Sequence, residues 1–292
     1  MPVSRPEEFW PVEDGYQEQY DRYVGYGAEE AARSNVAIVA IARNILPHGM
    51  NTLGLIDELA AKFHEAKFYC FENDSNDDTA KALDAFAATR PWVTIEHDTL
   101  LRPDYRGFQP ERTVALAEYR NRCRLWVEHH DPDAQYVVVL DMDPHGGFSV
   151  DGVLNSVGWM REYQSKMQRA CEVGCMASYS LYVRREEGGA IALAQYDSYA
   201  ARLSWWENRR NKIGDWANLW FHALMPPVGG DPIPMYSAFG GLAVYKAEAF
   251  RHCLYGGGDC EHVVAHKAMR QAGYGLWLNP GCRYVAILPE DS

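Results

Sequence analysis

Hydrophobic positions in the first half of the chain fall into short apolar runs separated by stretches of helical period. Val36-Ala-Ile-Val-Ala-Ile-Ala42 is continuous, apolar and rich in β-branched residues, which suits a strand buried on both faces, as in a parallel sheet. After a turn at Pro47-His48-Gly49, Ile56, Leu59, Ala60 and Phe63 recur at helical spacing. Lys67 to Phe71 predicts a second strand that runs into the acidic turn Glu72-Asn-Asp-Ser-Asn-Asp-Asp-Thr79. A helix from about 79 to 89 stops before Pro91, and Trp92 to Glu96 reads as a third strand.

Residues 111–130 read as a longer helix whose Leu116, Tyr119, Cys123 and Trp126 form one apolar stripe. Tyr136 to Leu140 is the clearest strand and ends in Asp141-Met142-Asp143. Strands alternating with helices imply right-handed βαβ units and a mostly parallel open α/β sheet. The second half is less regular. It offers strands near 175–183 and 241–245, an aromatic stretch at 205–221, and a late helix from about 261 to 272 ended by Gly273. The first 34 residues, acidic and aromatic, read as a lead-in packed on the body. No repeat or long linker divides the chain, so one domain is expected.

Composition narrows the function classes. The formal net charge of −12 over 292 residues disfavours nucleic acid or an anionic membrane as the main partner, because the long-range field has the wrong sign. No apolar run reaches the ~18–20 residues needed to cross a bilayer, and neither a signal peptide nor a transmembrane segment is expected. The seven cysteines include no Cys-x-x-Cys pair, and reduced, mostly buried thiols in a cytoplasmic protein are the expectation.

Four constellations carry candidate chemistry. Asp141 and Asp143 share one side of a strand end if the pleat persists. Ligands of open α/β sheets bind at the carboxyl ends of the strands, and two carboxylates there suit a hard cation such as Mg²⁺ or Mn²⁺. The acidic turn offers Glu72 and Asp74 to a base or ribose, with Asp77 or Asp78 free to cap the next helix. Arg112, Arg120, Arg122 and Arg124 suit diphosphate oxygens, with Arg120 and Arg124 one helical turn apart. Pairing with Glu118 and Glu128 on a solvated face is their bland alternative. In Gly258-Asp-Cys-Glu-His262-Val-Val-Ala-His266, Glu261 or Asp259 is a candidate general base and His262 a candidate metal or phosphate ligand. The zinc-protease order His-Glu-x-x-His is absent. Weaker signals are Tyr236-Ser237-Ala-Phe-Gly240-Gly241, whose glycines admit a ligand close to the backbone, and Trp205, Trp206, Trp216 and Trp220, which suit either sugar stacking or core packing.

The order of these motifs resembles a GT-A glycosyltransferase, most closely the fungal capsule-associated α-mannosyltransferases. The likeness lies in Ala40–Asn44, Phe71–Thr79, Arg112–Arg124, Val137–Asp143, Ser237–Tyr245 and Cys260–His266; residues 145–235 match no motif. The resemblance implies a GT-A fold, a Rossmann-like open sheet flanked by helices with a less regular acceptor-side half. Residues 35–143 would bind the nucleotide sugar and 144–285 the acceptor. It implies a GDP- or UDP-linked sugar donor, a glycan acceptor, and Mn²⁺ or Mg²⁺ held directly by Asp143, with Asp141 at the ribose or a metal-bound water. Arg43, Glu72 and Asp74 would lie near the nucleoside and the arginine group near the phosphates. Gly240, Gly241 and Ser237 would border the sugar. The membrane anchor of the fungal proteins is not found, so a soluble relative is expected. An inverting reaction would need Glu261 or Asp259 as base; in a retaining one, the course that the mannosyltransferase likeness suggests, the diphosphate itself would take the proton and Glu261 would only position groups, and the sequence does not decide between them. A nucleotidyltransferase would carry a Gly-rich loop where Arg43 to Gly49 stands. A non-catalytic carbohydrate-binding protein is the other alternative, and the missing Gly-x-Gly-x-x-Gly argues against an oxidoreductase.

Overall fold

The computed structural model describes residues 4–103, 109–166, 171–185, 191–204, 221 and 223–287. Most of the aromatic stretch, including Trp205, Trp206, Trp216 and Trp220, lies outside the described residues.

Among the described residues the apolar runs build one mixed sheet of nine strands. These are β1 (Asn35–Ala42), β2 (Glu65–Asn73), β3 (Val93–Asp98), β4 (Tyr136–Asp141), β5 (Glu172–Arg185), β6 (Ile191–Gln195), β7 (Ile233–Met235), β8 (Leu242–Lys246) and β9 (Tyr274–Ile287). Their order is β3-β2-β1-β4-β8-β5-β9-β7, with β6 on β5. The first four are mutually parallel. β8 then runs antiparallel between β4 and β5, which is why the second half loses the regular βα rhythm.

The sheet is sandwiched between two apolar layers. Ile38, Phe68, Val138 and Val244 point to one core and Val39, Tyr69, Val137 and Tyr245 to the other, the period-2 alternation of a strand buried on both faces. Helices α2 (Gln17–Ala31), α3 (Gly49–Ala60), α4 (Thr79–Ala87) and α6 (Val150–Lys166) cover the first face, and a short α1 (Pro6–Phe9) precedes them. α5 (Pro110–His130) and α8 (Glu261–Gln271) cover the second, with the single turn α7 (Ala247–Phe250) between β8 and α8. Tyr119 and Cys123 of the expected α5 stripe are buried, while Leu116 and Trp126 lie partly buried at its edge.

Three features depart from the sequence pattern. The lead-in contains the helix α2, which packs along α6. β2 continues two residues past Phe71, so Glu72 and Asn73 are buried strand residues and the acidic turn starts at Asp74. α6 and β9, which share the first apolar core, also enclose a polar contact: Asn279 donates to Asn155 Oδ1 (3.0 Å) and Ser156 Oγ (2.8 Å) in the interior.

α2 and α6 approach through Gly27 and Gly158. A methyl on Gly158 would overlap the Tyr23 carbonyl oxygen, and one on Gly27 the Leu154 carbonyl. Alanine gains about 1 kcal/mol over glycine in a helix interior, whereas backbone overlap in a packed contact costs about 1–3 kcal/mol or more. Gly158→Ala is therefore expected to destabilise the protein, read as a lower urea midpoint. An unchanged or higher midpoint would show that the helices separate freely.

Candidate functional site

The parallel register aligns the carboxyl ends of four strands. Ile41 pairs with Phe71 and Asp141, Glu72 with His97, and Asn73 with Asp98. Strand order reverses about β1: the chain passes from β1 outward to β2 and β3, then returns through α5 to β4 on the other side of β1. That places the β1–β4 crevice at a topological switch point, where ligands of open α/β sheets bind.

An open hollow of about 650 Å³ lies beyond β2 and β3, lined by Glu72, Asp74, Ser75, His97, Asp98 and Arg102 among others. Its size falls in the range of small-molecule sites. Glu72 is held from both ends: Oε1 accepts the Ser75 N–H (3.1 Å) and Oε2 contacts His97 Nδ1 (2.7 Å). Burial opposes the His97 charge, yet Glu72 and then Asp84 outweigh it and raise the His97 pKa. Asp74 sits at φ +53°. Its burial favours the neutral form, but hydrogen bonds from Asn73, Leu101 and Arg102 hold its carboxyl below the usual range. Arg43 donates to the carbonyls of Pro103 (3.1 Å) and Arg102 (3.3 Å), so it braces the same loop. Asp77 accepts the Thr79 N–H at 2.9 Å, the capping role open to it; Asp78 makes no side-chain cap bond and pairs with Lys81.

The centre of the site is Arg120, 4% exposed. It donates to Asp141 Oδ1 at 2.7 Å and lies 3.5 Å from Glu261 Oε1. Its guanidinium also stands 4.8 Å from the centre of the Phe239 ring. The arginine group expected to act together divides. Arg112 lies near enough to Asp143 for its charge to be felt there. Arg122 pairs with Glu96 (2.9 Å) and Asp98 (3.0 Å). Arg124 turns to Glu128 at 2.9 Å, so it does not project with Arg120.

Asp143 is exposed at the cleft, with much of the protein packed around its position. Desolvation, and then the Asp141 charge, push its pKa up. Sequence motifs miss Asp197, although it sits here. It follows β6 at φ +57°, with Oδ2 accepting the Gly240 N–H (2.9 Å) and Oδ1 the Ala200 N–H (3.3 Å). Desolvation, with further contributions from Asp141 and Glu261, outweighs those bonds and raises its pKa to about 7. The only signal in the sequence is a lone Asp two residues past a short apolar run.

Gly240 and Gly241 adopt φ +68° and +88°. A side chain on Gly241 would strike the Tyr284 ring, and the Gly241 carbonyl accepts the Asp141 N–H at 2.8 Å. The pair thus couples Asp197 to Asp141 through one tight turn. Ser237 is buried, its Oγ 2.8 Å from His266 Nδ1, while His266 Nε2 meets the Tyr245 hydroxyl at 2.8 Å. This is a polar pin in the core, so Ser237 does not line the cleft. Asp259 is bound to the buried Arg202 at 2.7 Å.

Among the described residues, the Asp141–Asp143 pair has donors that suit a divalent cation. Asp141 offers its second oxygen beyond Arg120, Asp143 is open, and a cation relieves the Asp141 repulsion that adds to desolvation in raising the Asp143 pKa. Hard oxygen donors match Mg²⁺ or Mn²⁺, which commonly take one or two carboxylates plus substrate phosphates. Among the described residues no three His, Cys, Asp or Glu side chains converge on a metal position, so His262 does not complete a triad with this pair. Its ring is buried against Phe239, 3.7 Å between centres, and burial followed by the Arg120 charge drives its pKa well down.

Asp197 gives stability a pH dependence. The folded protein holds its proton up to about pH 7, whereas an ordinary aspartate releases it near 3.8. Its contribution is full below about pH 4 and is lost as pH rises through about 7. Melting temperature is expected to fall across this window, and to fall less in Asp197→Asn. Parallel profiles would contradict the assignment.

No protein-family model matches the chain, and no curated protein matches it by sequence. Among the described residues no helix is long and apolar enough to cross a membrane. Solved structures do match. A crystal structure of GalNAc-T7 with UDP, GalNAc and Mn²⁺ superposes with a TM-score of 0.53 at 16% identity, over 88% of this chain and 44% of that one. The mannosyltransferase PcManGT from Pyrobaculum calidifontis, in complex with GDP-Man and Mn²⁺, gives 0.48 at 16% identity, covering 94% and 67%. S. aureus TarS gives 0.47 at 9% identity, covering 86% and 59%. The chain therefore spans less than half the length of the GalNAc-T7 chain. The fold, a largely parallel open sheet flanked by helices, is that of the GT-A glycosyltransferases.

Proposed function

We propose that this protein is a glycosyltransferase that moves a hexose from a nucleoside-diphosphate sugar, GDP- or UDP-linked, to a hydroxyl of a glycan, with Mn²⁺ or Mg²⁺ as cofactor. The observation that carries the proposal is the Asp141–Asp143 pair at the end of β4, set at the sheet's switch point on the same carboxyl-end edge as the open hollow at β2 and β3. Residues 35–143 form the donor half and 144–285 the acceptor half. Mannose is the sugar favoured by the likeness of the motif order to the capsule-associated mannosyltransferases.

Breaking the bond from the anomeric carbon to phosphate leaves negative charge on the nucleoside diphosphate. A bound cation would supply Lewis-acid stabilisation of that charge, and Asp143 and Asp141 would hold it. Arg120 fixes Asp141 from behind and keeps one of its oxygens occupied. Arg112, beside Asp143, adds positive charge at the phosphate end. Glu72, Asp74 and Arg43 shape the hollow that takes the nucleoside, Glu72 through His97 and the other two through the loop at 101–103. Gly240 and Gly241 bring bare backbone to the sugar side of Asp141.

The test is a melting-temperature panel of GDP, UDP, GDP-mannose and UDP-N-acetylgalactosamine, each with and without Mn²⁺. A ligand at 100 times its Kd adds about 2.7 kcal/mol. One nucleotide and its sugar are expected to raise the melting temperature only with Mn²⁺. A folded sample that responds to none of them refutes the proposal.

A further inference from the structure

We propose that Asp197 is the general base that takes the proton of the attacking hydroxyl, and that the transfer consequently inverts the anomeric centre. This rests on the glycosyltransferase reading and names a group and a stereochemical course that the reading leaves open.

The argument begins with the charges around the cleft. Glu261 and Asp259 are the acids that the sequence offers as bases, and each is tied to a buried guanidinium. Glu261 lies 3.5 Å from Arg120, and Asp259 lies 2.7 Å from Arg202, which is 1% exposed. In each case a guanidinium already occupies a carboxylate oxygen. Asp141 is paired with the same Arg120. Asp197 differs: among the described residues no Lys, Arg or His pairs with it, and its contacts are the backbone N–H groups of Gly240 and Ala200. The groups whose charges bear on it are Asp141 from β4 and Glu261 from the start of α8. Tyr196 and Cys260 lie within reach of its own charge. Desolvation, and then the charges of these two acids, raise its pKa to about 7, close to the ideal for a base working at neutral pH.

Position supports the same role. Asp197 is partly exposed, next to the exposed Tyr196. Two backbone bonds fix its carboxylate, as a preorganised base requires. It enters from the antiparallel half of the sheet, across the Gly240–Gly241 turn from Asp141, whereas the nucleoside-sized hollow lies at β2 and β3. A base on the side away from the leaving group is the arrangement of a single displacement.

The step balances without another reactant. The acceptor oxygen forms a bond to the anomeric carbon while its proton passes to Asp197. The bond from that carbon to the diphosphate oxygen breaks, and its electron pair leaves with the nucleoside diphosphate. The new bond forms opposite the old one, so an α-linked donor gives a β-linked product.

Water can stand in for the unknown acceptor. The protein is incubated with GDP-mannose or UDP-N-acetylgalactosamine and Mn²⁺, and the first-formed free sugar is read by proton NMR before it mutarotates. The β anomer is expected. Asp197→Asn is expected to lower hydrolysis by about 100-fold or more, while the Mn²⁺-dependent thermal shift with nucleotide persists. Asp197→Ser, which leaves room for a small anion, guards against misfolding of the first variant, and formate is expected to restore part of its rate. First formation of the α anomer, a near wild-type rate in Asp197→Asn, or nucleotide binding with no sugar released overturns the assignment and leaves the glycosyltransferase reading standing. Absence of any Mn²⁺-dependent nucleotide shift in the wild type refutes that reading itself.

Discussion

Arg120→Met is expected to destabilise the protein by about 3–5 kcal/mol, the usual consequence of removing one partner from a buried ion pair. At this chain length that is a fall on the order of 10 °C in melting temperature. Met restores most of the volume against Phe239, so the loss comes mainly from charge. Asp141 and Glu261 would face each other and Asp197 with no guanidinium between them. The orphaned carboxylates would then take up protons more readily, so the deficit should shrink toward pH 4. Adding Glu261→Gln to Arg120→Met removes one of the two stranded charges and should recover part of the loss. A single variant within about 1 kcal/mol of wild type would mean that water already screens these groups.

Asp143→Ala is expected to do the reverse: it should leave stability intact and remove nucleotide binding that depends on metal. The Asp143 carboxylate is exposed, its proton is held more tightly than normal, and the charge that bears most on it is the like-signed Asp141. Deleting it relieves repulsion, so the unliganded melting temperature should stay level or rise. Loss of a direct ligand should weaken Mn²⁺-dependent nucleotide affinity by at least about 100-fold, since disturbing a supporting group alone typically costs 10–100-fold. Titration calorimetry with GDP and UDP measures this. Wild-type affinity in Asp143→Ala would remove Asp143 from the metal site.

These two residues mark what could be read from the sequence. β1, β2, β4 and α5 announce themselves because apolar runs buried on both faces and a long helical stripe leave strong patterns, and Asp141 and Asp143 stand out as acids that end such a run. The Arg120 triad was half visible: the arginine was apparent, but its burial between β4 and the start of α8 joins residues more than a hundred positions apart. α6 was legible and overlooked, since Val150, Val153, Leu154, Val157 and Met160 recur at helical spacing and are all buried, whereas Pro280 and Gly281 interrupt the strand pattern of β9. Asp197 had no motif at all. Its significance comes from the turn that faces it, forty-three residues further along the chain.

The donor assignment depends on one geometric claim, that a divalent cation joins the end of β4 to a nucleoside diphosphate. A crystal of the protein grown with Mn²⁺ and whichever of GDP or UDP stabilises it tests that claim directly through the anomalous signal of manganese. The expected map shows one manganese peak in direct contact with an Asp143 oxygen and with the diphosphate, and the base in the hollow beyond β2 and β3. A nucleotide bound away from Asp141 and Asp143, or bound there with manganese elsewhere, would contradict the account.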